Sequence, residues 1–202
     1  RGTLGPESEF SYETFGLSDF HQISATAGAT IDLTLKWDDP YGTSVNDYDL
    51  YVCSDPLCEN LPIIGSSKNV QRQCQLNENP CPQFNPEEHI RVASATYTGF
   101  YFIKVLRFAA IAHPPLSNTF HLYSSYHDLN FTTAAGSLAI PADNANANAF
   151  VIGAVNHASA AVIEPFSSLG PTIDGRVKPD LVAPDGVTTA TFPGGFAGTS
   201  AA

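Results

Sequence analysis

The sequence predicts a mixed chain, an antiparallel β-sandwich followed by part of an α/β unit built on a parallel sheet. Two observations carry this prediction. Up to about residue 130, apolar side chains recur at every second position in short runs bounded by Gly, Pro, Asn or Asp, the mark of strands that bury one face. After Phe131 small residues dominate and the alternation stops. Apolar residues then come in continuous blocks, which suit strands covered on both faces in a parallel sheet. The predicted organisation is a connecting segment over 1–16, a sandwich over 17–130 and the α/β segment over 131–202.

The clearest strand is "ATIDLTLKW" (29–37), with Ile31, Leu33, Leu35 and Trp37 on one face and Asp32, Thr34 and Lys36 on the other. The same period recurs in "YDLYV" (48–52), "HIRVASA" (89–95), "GFYFIKVLRF" (99–108) and "NTFHLYSSY" (118–126). Several short strands separated by turn residues point to an antiparallel sandwich. Gly99, after "ATYT", reads as the turn between two paired strands. In the second part the blocks are "AFVIGAV" (149–155) and "DLVAP" (180–184), with Pro141, Pro165, Pro171, Pro179, Pro184 and Pro193 punctuating the loops.

Composition narrows the function classes. A hydrophobic fraction of 43% over 202 residues is ample for a buried core. A formal net charge of -11 repels phosphate backbones and anionic lipid heads, so nucleic acid is not expected as a partner. The longest apolar runs fall far short of the roughly 20 residues a membrane-spanning helix needs, and no membrane is expected either. The chain has no methionine and Arg1 does not open an export signal, so it reads as an internal piece of a longer product. Cys53, Cys58, Cys74 and Cys81 form two close pairs in a polar stretch. Local disulfides, 53 with 58 and 74 with 81, in a secreted protein are the expectation. A four-thiolate zinc site, poorly matched by C-x4-C and C-x6-C, and free thiols are the alternatives.

"WDDPYGTSVNDYDL" (37–50) gathers Asp38, Asp39, Asn46, Asp47 and Asp49 on one loop and strand start. Hard oxygen donors at this density suit calcium. The competing reading is a solvated acidic turn in an acidic protein.

From Ile140 onward, "IPADNANANAFVIGAVN" (140–156), "FSSLGPTIDGRVKPDLVAPDGV" (166–187) and "FAGTSAA" (196–202) resemble, in order and spacing, the second half of the catalytic domain of subtilisin-like serine proteases. The resemblance implies that Ser200, in the G-T-S-x-A motif, is the nucleophile at the start of a central helix. It also implies a protein or peptide substrate and no required cofactor. Gly198 leaves room for an incoming carbonyl, and a helix N-terminus favours a developing oxyanion. An isolated G-T-S reads equally as a helix cap. In that family the base histidine, its aspartate and the oxyanion asparagine come earlier than the proline-alanine turn. None of His21, His89, His113, His121, His127 and His157 stands in an H-G-T-like context. The remainder of a catalytic domain is therefore an expected partner, and the segment alone is expected to be inactive.

Three positions depart from the family pattern: Asp185 between Pro184 and Gly186, Leu169, and Ala201 in place of a frequent methionine. Asp180 and Asp185 belong to a strand and its turn and are not expected in a triad. "NDYDLYV" (46–52) is similar to the strand signature of the jelly-roll module of pre-peptidase C-terminal type, so the sandwich reads as an insertion. Two further readings stay open. One is a binding module for protein or polysaccharide, using Tyr48, Tyr51, Tyr97, Tyr101, Tyr123 and Tyr126. The other is a pseudoprotease.

Overall fold

The structure, a computed structural model, describes residues 10–12, 21–44, 46–56, 58, 63–71, 84–108, 120–129, 148–172, 175–199 and 201. The described residues are strand and turn, with no helix among them. The chain divides into two compact units, 1–132 and 133–202.

The first unit holds β1 (Phe10–Tyr12), β2 (His21–Ala25), β3 (Ile31–Trp37), β4 (Asp47–Cys53), β5 (Ile63–Ser67), β6 (Glu87–Val92), β7 (Gly99–Phe108) and β8 (Phe120–Ser124). One sheet runs β1-β7-β4-β5, with β2 also paired to β7, and the other runs β6-β3-β8. Every pairing is antiparallel. The long β7 serves two strands along one edge, β2 over residues 99–103 and β1 over 106–108. β1 falls in the stretch read as a connecting segment.

The two sheets close over one core, as alternation requires. Ile31, Leu33, Leu35, Trp37 and Ile90 of the second sheet cluster with Tyr48, Leu50, Val52, Tyr101, Ile103 and Val105 of the first. Trp37 is completely buried and sets its ring edge-on to Tyr48 at 5.1 Å. Its indole Nε1–H donates to the Ser44 hydroxyl, which satisfies the one polar atom the burial would strand. Burying each such large apolar side chain is worth about 1.5–3 kcal/mol. Gly65 lets the layers approach, since a Cβ there would lie 2.9 Å from the side chains of both Ile90 and Val92.

β3 differs from expectation on its polar face. Asp32, Thr34 and Lys36 are buried as well as their apolar neighbours, so the strand is covered on both sides. For Asp32 the reason is a set of cross-strand donors. His89 Nε2 and Ser125 Oγ reach Oδ1 at 3.0 and 3.4 Å, and Arg91 reaches Oδ2 at 2.8 Å. Burial pushes the Asp32 carboxyl up, but the hydrogen bonds and charges of His89 and Arg91 outweigh it and hold the group below the usual carboxylate range.

Cys53 and Cys58 form the expected disulfide, with Cα atoms 5.4 Å apart. Cys74 and Cys81 lie outside the described residues.

The second unit holds β9 (Ile152–Asn156), β10 (Ser159–Ile163) and β11 (Leu181–Asp185) in the order β10-β9-β11. β9 and β10 form an antiparallel hairpin through the turn at His157 and Ala158. β9 and β11 pair in parallel, Leu181 opposite Ile152 through Asp185 opposite Asn156. These are the two apolar blocks of the sequence. The helical half of the α/β expectation has no counterpart among the described residues. Ala154 and Val155 are buried, whereas Ile152, Leu181 and Val182 stay about two-fifths exposed and β10 is exposed throughout.

Candidate nucleophile turn

The second unit anchors its parallel pair with polar side chains. Lys178, buried, donates from Nζ to the Ala149 carbonyl at 2.7 Å and to both carboxylate oxygens of Asp180 at 3.0 and 2.7 Å. Asp180 Oδ2 also accepts the Val151 amide at 2.7 Å. The Lys178 hydrogen bond, then that amide, hold the Asp180 carboxyl below its ordinary value. Ser167 Oγ accepts the Ala154 amide at 2.9 Å, fastening the F-S-S stretch to β9. Asp180 thus joins the entries of β9 and β11.

Downstream of β11 the chain leaves and returns. Gly186 N–H donates to the Phe196 carbonyl and Phe196 N–H to the Val187 carbonyl, at 2.9 and 3.1 Å. The return is tight at Gly195, whose φ is +91° and where a Cβ would lie 2.9 Å from the Gly186 carbonyl oxygen. Phe192 and Phe196 stack at 5.0 Å within the excursion. Residues 197–199 are thereby brought back to the end of β11. There the Gly198 amide donates to Asp185 Oδ2 at 3.0 Å, and the Ala201 amide donates to the Gly198 carbonyl at 2.9 Å.

Asp185 is 2% exposed, and its second oxygen, Oδ1, is buried without a hydrogen-bond partner. Its carbonyl accepts both the backbone N–H of His157 and the ring Nδ1–H, each at 3.2 Å, which fixes that imidazole's tautomer when neutral. The sequence showed Asp185 only as a departure from the family turn. The signal for its role was an acid at the buried end of a strand, ahead of a glycine-rich return.

Ser200 lies outside the described residues, while Gly198 and Thr199 before it are described. Of the calcium candidates, Asp39 and Asn46 come together. Asp39 accepts the Ser44 hydroxyl at 2.9 Å and, from Asn46, the backbone amide and Nδ2–H at 2.8 Å each. Asp49 accepts the Tyr51 hydroxyl at 2.9 Å, Asp47 is buried with Oδ1 unpartnered, and Asp38 is exposed. Among the described residues no group of three or more His, Cys, Asp or Glu is arranged to hold a metal ion. Two other histidines make local contacts. His127 Nε2 donates to the Thr30 carbonyl at 2.9 Å, His121 Nδ1 lies 3.2 Å from the Tyr123 hydroxyl, and His113 is outside the described residues.

Comparison with known proteins now bears on this turn. Residues 121–202 match the subtilase family model. The subtilase-matching stretch begins inside β8 and takes in β9, β10, β11 and the Asp185–Gly198 contact. Among solved structures, the Clostridium perfringens CspB protease is similar in fold, with a TM-score of 0.50 and 17% identity over 90% of this chain. This chain spans 40% of the length of that structure. Curated protein sequences contain no match.

Proposed function

We propose that this chain is a segment of a secreted subtilisin-like serine endopeptidase, hydrolysing peptide bonds through an acyl-enzyme on Ser200. The observation that carries the reading is the subtilase match over 121–202, which runs through G-T-S. The parallel β9–β11 pair, ending at a turn tied back to Gly198, supports it. So does the Cys53–Cys58 disulfide, for an oxidising compartment. The first unit is then an insert of pre-peptidase C-terminal type. Ile152, Leu181 and Val182, apolar and part-exposed, suit a sheet completed by the remainder of a catalytic domain.

In this mechanism a serine hydroxyl needs a hydrogen-bonded base before it attacks a carbonyl at neutral pH. No histidine of this chain stands in the family's context for that role, so the 202-residue chain is inactive by itself. Gly198, two residues before Ser200 in sequence, borders open space, since a Cβ there would meet nothing within 4 Å. The binding-module reading keeps only part of its platform: Tyr48, Tyr51 and Tyr101 are buried, Tyr97 and Tyr123 are half-buried, and Tyr126 is exposed. Calcium at Asp38, Asp39, Asn46, Asp47 and Asp49 remains an accessory proposal from the sequence, and among the described residues these carboxyls form no group of three. It predicts a higher melting temperature in millimolar calcium, and an unchanged one leaves Asp39 with its turn alone.

A fluorophosphonate probe tests the main reading. It should leave the 202-residue chain unlabelled and label the full-length protein at Ser200. Ser200→Ala in the full-length protein should lower turnover by several orders of magnitude. Full activity after that substitution would reduce G-T-S to a cap.

A further inference from the structure

We propose that Asp185 is a positioning residue for the nucleophile turn: its carboxyl group, fixed at the end of β11, holds the Gly198 amide, two residues before Ser200 in sequence. The proposal rests on the reading of Ser200 as nucleophile.

Four observations carry it. The contact is long in sequence, joining residues 13 apart, so it is a tertiary tie, unlike a helix cap, which bonds an amide two or three residues on. Among the described residues no other side-chain hydrogen bond reaches residues 197–199. Asp185 is itself held on both sides, by His157 on its carbonyl and by the Gly186–Phe196 bond immediately after it. Finally, Gly198 has φ of +126°, a region that side-chain-bearing residues rarely adopt, so an external acceptor is needed to choose the direction of its N–H among the many open to glycine.

The arrangement is costly as pure scaffolding. A carboxylate at 2% exposure that receives one amide on Oδ2 and nothing on Oδ1 leaves part of its desolvation uncompensated. A neutral acceptor would tie the same turn more cheaply. The position of this turn matters because a displacement of about 1 Å at a reacting group costs on the order of 100-fold in rate.

The test uses the full-length protein and three variants, Asp185→Ala, Asp185→Asn and Ser200→Ala, read by fluorophosphonate labelling rate and by kcat and KM on a peptide. Asp185→Ala should lower labelling rate and kcat by about 10- to 100-fold with KM within about 2-fold, because the loss falls on alignment and spares binding. Asp185→Asn, whose amide oxygen accepts the same N–H, should recover most of that loss. Wild-type labelling in Asp185→Ala overturns the proposal, as do equal losses in Ala and Asn. Should Asp185→Ala fail to fold, Asp185→Ser takes its place with the same expected loss. Ser200→Ala reports separately on the underlying reading. Should that fail, amide exchange in the 202-residue chain still decides the contact. Gly198 N–H should exchange faster in Asp185→Ala than in wild type or Asp185→Asn, and unchanged exchange overturns it.

Discussion

Asp47 and His21 draw the stability of the sandwich in opposite directions as pH changes. Burial pushes the Asp47 carboxyl up to about 7. The Gln71 backbone hydrogen bond opposes this, and the charges of Asp49 and Glu88 add to it. Its folded value lies above the ordinary 3.8, so its contribution is whole below 3.8 and is lost as pH rises to about 7. Burial lowers His21 from 6.5 to about 4, so its contribution is whole above 6.5 and is lost as pH falls to about 4. Each is worth at most roughly 3 to 5 kcal/mol at about 1.4 kcal/mol per pKa unit, and between pH 4 and 7 they partly cancel. Replacing Asp47 with Asn should leave a melting temperature that falls more steeply on acidification. Replacing His21 with Leu should leave one that falls more steeply on alkalinisation. Parallel profiles for wild type and both variants would refute this. Glu88, also raised by burial, accepts Asn69 N–H and Nδ2–H and Gln71 Nε2–H and is completely buried. It adds to the alkaline loss.

At the scale of elements, the distance between the two sheets is set where β5 passes β6. Gly65→Val should destabilise the sandwich by about 1–3 kcal/mol, because its side chain would have to displace Ile90 and Val92, and urea denaturation measures it. Trp37→Ala should cost about 3–5 kcal/mol by cavity formation. An effect below 1 kcal/mol at either position would contradict the packing described. The alternation around Trp37 was legible because a half-buried strand writes its faces into the sequence at period two. What it could not show was coverage of the opposite face, since Asp32 owes its burial to His89, Arg91 and Ser125, which approach only after three strands pair. The strand pairing of "AFVIGAV" with "DLVAP" was legible as two continuous apolar blocks. The tie from Asp185 to Gly198 was not, because nothing local distinguishes a carboxylate that reaches 13 residues ahead from one that faces water.

As a whole molecule the chain couples a closed core with an uncovered sheet. Residues of the first unit such as Leu33, Leu35 and Leu50 have no exposure, while Ile152, Val162 and Leu181 on the strands of the second are 40%, 60% and 43% exposed. Apolar strands left open in this way should bind a hydrophobic dye. The 202-residue chain should enhance anilinonaphthalene sulfonate fluorescence, and a version ending at residue 132 should lose most of that signal. Equal signals would show that the dye binds elsewhere. The -11 charge opposes self-association through those strands, so added salt, which screens it, should promote aggregation of the longer version.

The bond between Cys53 and Cys58 also makes the chain's covalent continuity branch. Residues 54–57 lie inside a ring, so cutting any peptide bond there opens the ring and releases nothing. For a segment read as part of an endopeptidase, a nick at that loop would be invisible by electrophoresis without reductant. It would appear as two fragments, joined until then only through sulfur, once the disulfide is reduced.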